Sequence, residues 1–293
     1  MVVAACDPIA TEKGRHVVTR RHFLQSSMLL TVLASRAAMA AANNPFRLGT
    51  LPVVSTRTAY EIYQPLIGRL ETLFKRKVDL ETPLNFRSMY QRILEKGFDL
   101  LVSPPHIARL AQQRLGWQPL VMCQPEHTSV LMTMEANGPR TLEDLRGKTI
   151  AILDRSALVV MIMMDALAKN GLVTDRDFNI METRNYESSQ IAVRQGVAQA
   201  MVARSQGFIE SGERERMKVL FQAGALPGYV LIAAPSMAHN DVQLLRKDLL
   251  GFGSTADAQT FLKKLGYESF GAAAEQAMKR LDPYLDATEA SLK

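Results

Sequence analysis

The chain has 293 residues, of which 47% are hydrophobic and 22% are charged, a composition typical of a globular protein rather than of a disordered or fibrous one. It contains no run of 18 or more apolar residues, which excludes a protein that crosses a membrane several times. Residues 1–40 hold five basic and two acidic side chains, so the rest of the chain has 30 basic and 27 acidic ones and a net charge of +3. This weak and evenly spread excess argues against a nucleic-acid partner.

The first 40 residues have the order of an export signal. Arg20-Arg21 and Phe23-Leu24 precede a modestly apolar stretch, Met28–Ala34, and then the small-residue motif Ala38-Met39-Ala40 that a signal peptidase cuts. This segment resembles a twin-arginine signal, with an ordinary secretion signal or an N-terminal amphipathic helix as the alternatives. We therefore expect a periplasmic protein that starts at Ala41 and does not span the membrane once it is processed.

From Phe46 onward, short β-type runs alternate with longer runs of helical period, which predicts an α/β fold with mostly parallel sheets. The predicted strands are Arg47–Val54, Lys77–Leu80, Phe98–Val102, Lys148–Leu153, Phe178–Met181 and Ala200–Ala203. The predicted helices are one that opens with a capping box at Thr58–Glu61 and contains Pro65, one capped by Asn85, then His106–Leu115, Ala157–Lys169 and Ser189–Gln195, and three helical stretches at the end of the chain.

Two pairs of apolar runs follow each other without a helix between them. Pro119–Met122 and Val130–Met134 flank one polar break, and Val219–Phe221 and Tyr229–Ala233 flank a second one that contains Pro227-Gly228. Each pair is typical of a strand that leaves one lobe and enters another. The pattern predicts a first lobe of residues 41–125 plus 234–293 and a second lobe of residues 126–233. A cleft between lobes joined by two strands is suited to clamping a small ligand.

The sequence carries no recognisable catalytic or metal-binding motif. After the export signal, His106, His127 and His239 lie far apart and Cys123 is the single cysteine, so no spacing typical of metal ligands is present. Gly251–Ala256 has the form G-x-G-x-x-A, but it follows a helical run instead of a strand and is interpreted as a helix end. We expect no cofactor, no metal and no catalytic residue, and an exported enzyme with an unrecognised site is the remote alternative.

Hydroxyl and arginine side chains lie in the loops that follow the predicted strands. In an open α/β sheet these loops surround the ligand, and helix N-termini there present N–H groups. An oxyanion matches this chemistry best, although serine and threonine at such positions commonly only cap helices. The candidate ligand-binding residues of these loops are Thr56, Arg57, Ser103, Arg155 and Ser156. Tyr60 and Tyr186 either wall the pocket or pack beneath it, and Cys123 is either an inert buried thiol or a soft ligand for an anion such as arsenite.

From Arg47 to about Gly266 the chain resembles the phosphate-, phosphite- and phosphonate-binding proteins of ABC importers. The residues that carry the resemblance are Tyr63–Leu66, Phe98–Leu100, Ser103–Pro105, Leu142–Thr149, Ala192–Gly196 and Phe261–Gly266. The resemblance implies the two-lobed fold of class II periplasmic binding proteins, with mostly parallel sheets flanked by helices and joined by two hinge strands. The family holds its anion on a Ser-Thr-Ser-Gly turn, which matches Arg155–Val159 here and so assigns Ser156 and Ala157 to the site. It also assigns Tyr60 and Tyr186 to the pocket.

The resemblance implies a small oxyanion as ligand and an ABC transporter permease as partner. The alternative with the same fold is a sensory binding protein that docks on a histidine kinase or chemoreceptor ectodomain. Its arsenite-binding relatives use a thiol, for which Cys123 would be the candidate here.

Overall fold

Strands and helices alternate along residues 44–206 and 216–293, the parts of the chain that this computed structural model describes. The predicted export signal at residues 1–40 lies outside these ranges. The strands are β1 (Phe46–Gly49), β2 (Val78–Glu81), β3 (Leu100–Ser103), β4 (Gln118–Gln124), β5 (His127–Met134), β6 (Thr149–Ile152), β7 (Asn179–Glu182), β8 (Ala200–Arg204), β9 (Met217–Leu226), β10 (Val230–Ala233) and β11 (Ser269–Ala272).

The helices between these strands cover the sheets. They are α1 (Thr56–Phe74), α2 (Phe86–Leu94), α3 (Pro105–Leu115), α4 (Leu158–Lys169), α5 (Tyr186–Arg194), α6 (His239–Phe252), α7 (Ala256–Leu265), α8 (Glu275–Lys279) and α9 (Leu285–Leu292). Two turns of 3₁₀ helix lie at Glu143–Leu145 and Asp282–Tyr284. No helix in the described ranges combines the length and the apolar character that a bilayer crossing requires.

The described strands form two mixed sheets. The first has the order β11-β4-β10-β3-β1-β2 and the second the order β7-β6-β8-β5-β9. The α/β fold with two helix-flanked sheets is confirmed, but the sheets are mixed instead of mostly parallel. The pairs β1 with β2 and β3, and β6 with β7 and β8, are parallel. The strands next to the crossings pair antiparallel, because each chain crossing brings the backbone back in the opposite direction.

The central strands are buried on both sides. Every residue of β3 and of β8 is buried, because helices cover both faces of each sheet. In β8 this includes a charged side chain, Arg204, at the carboxyl end of the strand. A buried charge at that position is unusual for a strand whose other side chains are apolar, and it marks the region where the candidate site lies.

The chain crosses between the sheets twice, at two places that lie side by side. Residues 125–126 connect β4 to β5, and residues 227–229 connect β9 to β10. A Cβ atom on Gly228 would lie 1.9 Å from the carbonyl oxygen of Cys123, so only glycine allows the two crossings to approach this closely. Strand β10 belongs to the first sheet, although the predicted second lobe, residues 126–233, includes residues 230–233. The apolar run Tyr229–Ala233 can end one lobe or begin the other, and its pairing with β3 and β4 is not visible in the sequence.

Helix α1 begins earlier than the predicted capping box at Thr58. Its N-cap is Ser55, whose hydroxyl oxygen accepts the main-chain N–H of Thr58 at 3.2 Å. The helix then continues through Pro65. Proline has no N–H, so the carbonyl of Glu61 loses its helical donor. The Lys264 ammonium donates to that carbonyl at 3.3 Å, which compensates for the missing bond.

Candidate functional site

A cavity lies where loops at the carboxyl ends of strands in both sheets meet. Its volume is about 350 Å³, part of which is open to solvent. The first sheet and its helices contribute Leu51, Val53, Phe86, Pro104 and Pro105. The second contributes Leu153, Ala157, Leu158, Val159, Tyr186, Arg204 and Leu226, and the second crossing contributes Pro227 and Tyr229. The wall is mostly apolar, and the charged side chain on it is Arg204.

Arg204 is 3% exposed and its orientation is fixed by several contacts. Nη1 donates to the phenol oxygen of Tyr267 at 2.6 Å, and Nη2 donates to the carbonyls of Gln206, at 3.1 Å, and of Leu265. The guanidinium carbon also lies 4.6 Å from the ring centre of Tyr229 and 4.8 Å from that of Tyr267. These cation–π contacts stabilise a charge that is otherwise removed from water.

The Arg204 side chain is a cation and its phenol neighbours are neutral at physiological pH. Burial acts to lower the pKa of Arg204, but the adjacent Tyr229 and Tyr267 raise it, and the net shift is upward. Burial raises the pKa of Tyr186 and of Tyr229 above the usual range of a phenol. The cavity therefore carries one fixed positive charge and phenol groups that stay protonated and able to donate hydrogen bonds.

The turn before α4 holds a carboxylate of the chain itself. Oδ1 of Asp154 accepts the main-chain N–H of Ser156 at 2.8 Å and the Ser156 hydroxyl at 2.5 Å. The Ala157 N–H donates to the Asp154 carbonyl at 3.0 Å. The hydroxyl that the sequence assigned to a bound oxyanion is thus hydrogen-bonded to a negatively charged side chain two residues earlier.

The same turn is joined to the first sheet through His106. Nε2 of this buried imidazole lies 2.8 Å from the carbonyl oxygen of Ser156, to which it donates. Nδ1 is buried and has no hydrogen-bond partner among the described residues. Burial lowers the pKa of His106 to about 4, so the ring is neutral at physiological pH and the tautomer with a proton on Nε2 makes this bond.

Two further contacts connect the loops of the two sheets. The main-chain N–H of Tyr186 donates to the carbonyl of Val53 at 3.2 Å. The Thr58 hydroxyl donates to a carboxylate oxygen of Glu187 at 3.0 Å. Together with the His106 bond, they hold the cavity walls against each other.

The structure brings together only part of the predicted ligand-binding set. Ala157 and Tyr186 line the cavity. Ser103 is buried beside it, and its hydroxyl donates to the carbonyl of Pro104 at 3.1 Å. Ser156 is buried in the turn next to Ala157, with its hydroxyl engaged by Asp154.

The other predicted residues lie outside the cavity wall. Thr56, Arg57 and Tyr60 are exposed on the first turns of α1, with Tyr60 58% exposed, because this helix turns its apolar face inward and these positions face solvent. Arg57 forms an ion pair with Glu61 at 3.2 Å. Arg155 is exposed and forms an ion pair with Glu182 at 3.0 Å.

Cys123 is fully buried on β4 and is not part of the cavity wall. Burial raises the pKa of its thiol to about 12, so the side chain is protonated at neutral pH, whereas soft ligands are bound by the thiolate. Its position gives no support to the thiol-dependent sensory alternative. Within the described ranges, no group of three or more histidine, cysteine or acidic side chains is placed to hold a metal ion.

Sequence reasoning missed Arg204 and the role of Asp154. The signal for Arg204 was an arginine directly after the apolar run Ala200–Ala203, at the carboxyl end of a predicted strand. For Asp154, the signal was a carboxylate two residues before a serine at a helix start, a spacing that allows a side-chain hydrogen bond to the main chain.

The two sheets, their helices and the two crossings define the fold of class II periplasmic binding proteins, and solved structures show the same fold. A binding-protein component of an ABC phosphonate transporter from Pseudomonas aeruginosa is 14% identical, with a TM-score of 0.73 over 86% of this chain and 89% of that one. PhnD1 from Prochlorococcus marinus, in complex with methylphosphonate, is 11% identical, with a TM-score of 0.71 over 83% and 98%. The aliphatic sulphonate binding protein SsuA from Escherichia coli is 14% identical, with a TM-score of 0.58 over 84% and 92%.

The family is shown by the sequence match itself. Residues 48–278 match the family described as ABC transporter, phosphonate, periplasmic substrate-binding protein. The chain belongs to this family of periplasmic solute-binding proteins.

Proposed function

We propose that the protein is exported, captures a small oxyanion between its two lobes and delivers it to an ABC importer. The observation that carries this function is the buried Arg204 guanidinium on the wall of a mostly apolar cavity between the loops of both sheets. A positive charge acts more strongly in such a poorly solvated site than in water, and it favours a negatively charged ligand.

The family and its relatives support the ligand class. The family description names phosphonate, one solved relative holds methylphosphonate and another is called an aliphatic sulphonate binding protein. Phosphonate, phosphite and phosphate share the tetrahedral oxyanion that a guanidinium binds well. The N-terminal twin-arginine pattern, with a cleavage position near Ala40, supports export to the periplasm.

The contacts between the loops support a clamp mechanism. The proposed lobes meet at the cavity through His106 with Ser156 and through Thr58 with Glu187. A ligand that touches both lobes stabilises this closed arrangement, so that binding and closure are one equilibrium. Release to the permease then requires the lobes to separate again.

Thermal unfolding and titration calorimetry with a panel of ligands test this function. The panel contains phosphate, phosphite, methylphosphonate and ethanesulfonate, with dimethyl sulfone as an uncharged ligand of similar shape. A ligand at 100 times its Kd should add about 2.7 kcal/mol to the free energy of unfolding and raise Tm by several degrees. At least one oxyanion should do so and dimethyl sulfone should not. The proposed function is wrong if no oxyanion binds, or if the neutral sulfone binds equally well.

A further inference from the structure

We infer that the ligand is an oxyanion with an uncharged apolar substituent, such as an alkyl phosphonate or an alkyl sulfonate, and that the cavity discriminates against inorganic phosphate and against substituents that carry an amine. This inference rests on the proposed function, because it names the substrate class of the same cavity. Three features of the cavity support it: the apolar side chains of the wall, the buried Arg204 cation and the first turn of α4.

Apolar side chains from both sheets and their helices make up most of the cavity wall. They include Leu51, Val53 and Phe86 on the side of the first sheet, and Leu153 and Leu226 on the side of the second. Each of these five side chains is at most 5% exposed. Every methylene group of a ligand that such a wall removes from water tightens binding about fourfold. An oxygen of inorganic phosphate in the same place would lose its hydrogen bonds to water and find few donors in exchange.

The buried charge on the wall disfavours a second positive charge. Arg204 is a buried cation that lines the cavity. Its Nη1 and Nη2 atoms already donate to Tyr267 and to the carbonyls of Gln206 and Leu265, so its effect on the ligand is electrostatic and requires no free donor. An ammonium group on the substituent would be repelled by this guanidinium, and little water is present to screen the repulsion.

The cavity offers no described carboxylate to compensate for that repulsion. Among the described residues that line it, none is acidic. Two acidic side chains of the surrounding loops have other partners, since Asp154 accepts hydrogen bonds from Ser156 and Glu187 accepts one from Thr58. A buried ammonium group without a partner is costly, so an amine-bearing ligand should bind much more weakly than its apolar counterpart.

The first turn of α4 leaves a place for the anion on the same wall. Its N-cap residue, Ala157, makes no side-chain hydrogen bond to the helix, and Ala157, Leu158 and Val159 all line the cavity. The first N–H groups of a helix have no acceptor within it and favour a negative charge. An oxyanion held there turns its substituent towards the apolar side chains on the side of the first sheet.

Titration calorimetry with matched pairs of ligands tests this inference. Propylphosphonate and aminoethylphosphonate have the same number of heavy atoms and differ in a terminal methyl group against an ammonium group. Propanesulfonate and taurine form the same pair with a sulfonate head group. The propyl compound should bind at least 100-fold more tightly than its amine counterpart. Methylphosphonate should bind at least tenfold more tightly than phosphate.

Two neighbouring valines provide matched variants. Val53 lines the cavity and Val54 does not, although both are buried. Val53→Thr keeps the shape of the side chain and places a hydroxyl on the wall, so it should weaken propylphosphonate binding about fivefold and change phosphite binding less than twofold. Val54→Thr should change neither by more than twofold. Circular dichroism and thermal unfolding report whether each variant folds.

The outcomes separate this inference from the proposed function. If the unmodified protein binds no oxyanion, both are wrong. If it binds one, but aminoethylphosphonate or phosphate binds as tightly as propylphosphonate, the proposed function stands and this inference is overturned. Equal weakening of propylphosphonate binding by the two valine variants would also overturn it. If Val53→Thr does not fold, the ligand pairs measured with the unmodified protein still decide.

Discussion

At the scale of single residues, the buried His106 links stability to pH. Burial lowers its pKa to about 4 in the folded protein, whereas an exposed histidine in the unfolded chain titrates near 6.5. Between these values the unfolded state binds a proton that the folded state excludes. The stabilising contribution of His106 to the free energy of unfolding is therefore complete above pH 6.5. It decreases as the pH falls towards 4, and about 2 kcal/mol of it is lost at pH 5.

Urea unfolding at pH 7.5 and pH 5 measures this effect. Between pH 7.5 and pH 5, the free energy of unfolding of the unmodified protein should fall by about 2 kcal/mol more than that of His106→Gln, which has no titrating ring. His239 is exposed, so His239→Gln serves as the matched control and should retain the full loss. An equal loss in His106→Gln and in the unmodified protein would assign the pH dependence to another group.

Single residues of the site were only partly predictable. Tyr186 and Ala157 could be placed at the cavity because each lies in a loop after a strand or beside a helix start. The engagement of Ser156 by Asp154 depends on a side-chain rotamer, and the sequence is equally compatible with a hydroxyl turned towards a ligand. Arg204 was missed because burial of its charge depends on Tyr229 and Tyr267, which come from distant parts of the chain.

At the scale of elements, Arg109 fastens the C-terminal segment to α3. This side chain is 3% exposed, and it donates to Asp282 at 2.6 Å and to Glu275 at 2.9 Å. Both carboxylates are partly exposed and regain water when the arginine is removed. Arg109→Met should therefore lower the free energy of unfolding by about 1–3 kcal/mol. The decrease is smaller than it would be if the substitution left a fully buried carboxylate without its partner.

Urea unfolding and limited proteolysis together check this role. Arg114 lies on the same helix, is 52% exposed and contacts Asp286 and Glu289 at 3.7 Å and 3.6 Å, so Arg114→Met is the control and should cost less than about 1 kcal/mol. Only Arg109→Met should speed cleavage within residues 275–293. Equal losses for the two variants would show that burial of Arg109 adds nothing.

Elements with local signals were predictable, and elements defined by distant pairing were not. The Asn85 cap of α2 and the end of α3 at Leu115 are confirmed, because both are set by a few neighbouring residues. Strand β11 lies in the part of the chain for which the sequence predicts only helical stretches, and it is not among the predicted strands. Its four residues, Ser269–Ala272, have no alternating pattern, and they are a strand because they pair with β4.

At the scale of the whole molecule, the contact between Thr58 and Glu187 should contribute to closure. Thr58→Val keeps the shape of the side chain and removes its hydrogen bond to Glu187, together with a 2.7 Å contact to the Ser55 hydroxyl within the same helix start. One such bond, partly exposed, is worth about 1 kcal/mol, which corresponds to roughly a fivefold weaker Kd and faster ligand dissociation. Titration calorimetry and stopped-flow dissociation measure the two quantities.

Thr72 provides the matched control for this closure contact. It lies on the same helix, and its hydroxyl donates to the Gly68 carbonyl within that helix. Thr72→Val should leave Kd and the dissociation rate unchanged. If both variants weaken binding equally, the effect comes from α1 itself and not from the contact with Glu187.

The two crossings of the molecule could be predicted, whereas the strand order could not. Paired apolar runs on each side of a polar break indicated both crossings, since a break without a helix leaves few other arrangements. The position of β10 between β3 and β4 follows from contacts across more than 100 residues, which no local pattern records.

The central position of β10 also sets the order in which the chain can fold. The ribosome makes β3 and β4 long before β10, and residues 125–229 are synthesised in between. Until residue 233 has left the ribosome, β3 and β4 lack the strand that joins them, and their unpaired edges stay available for wrong pairing. Such distant pairing closes slowly. The first sheet of this protein is therefore completed only after most of the chain has been synthesised.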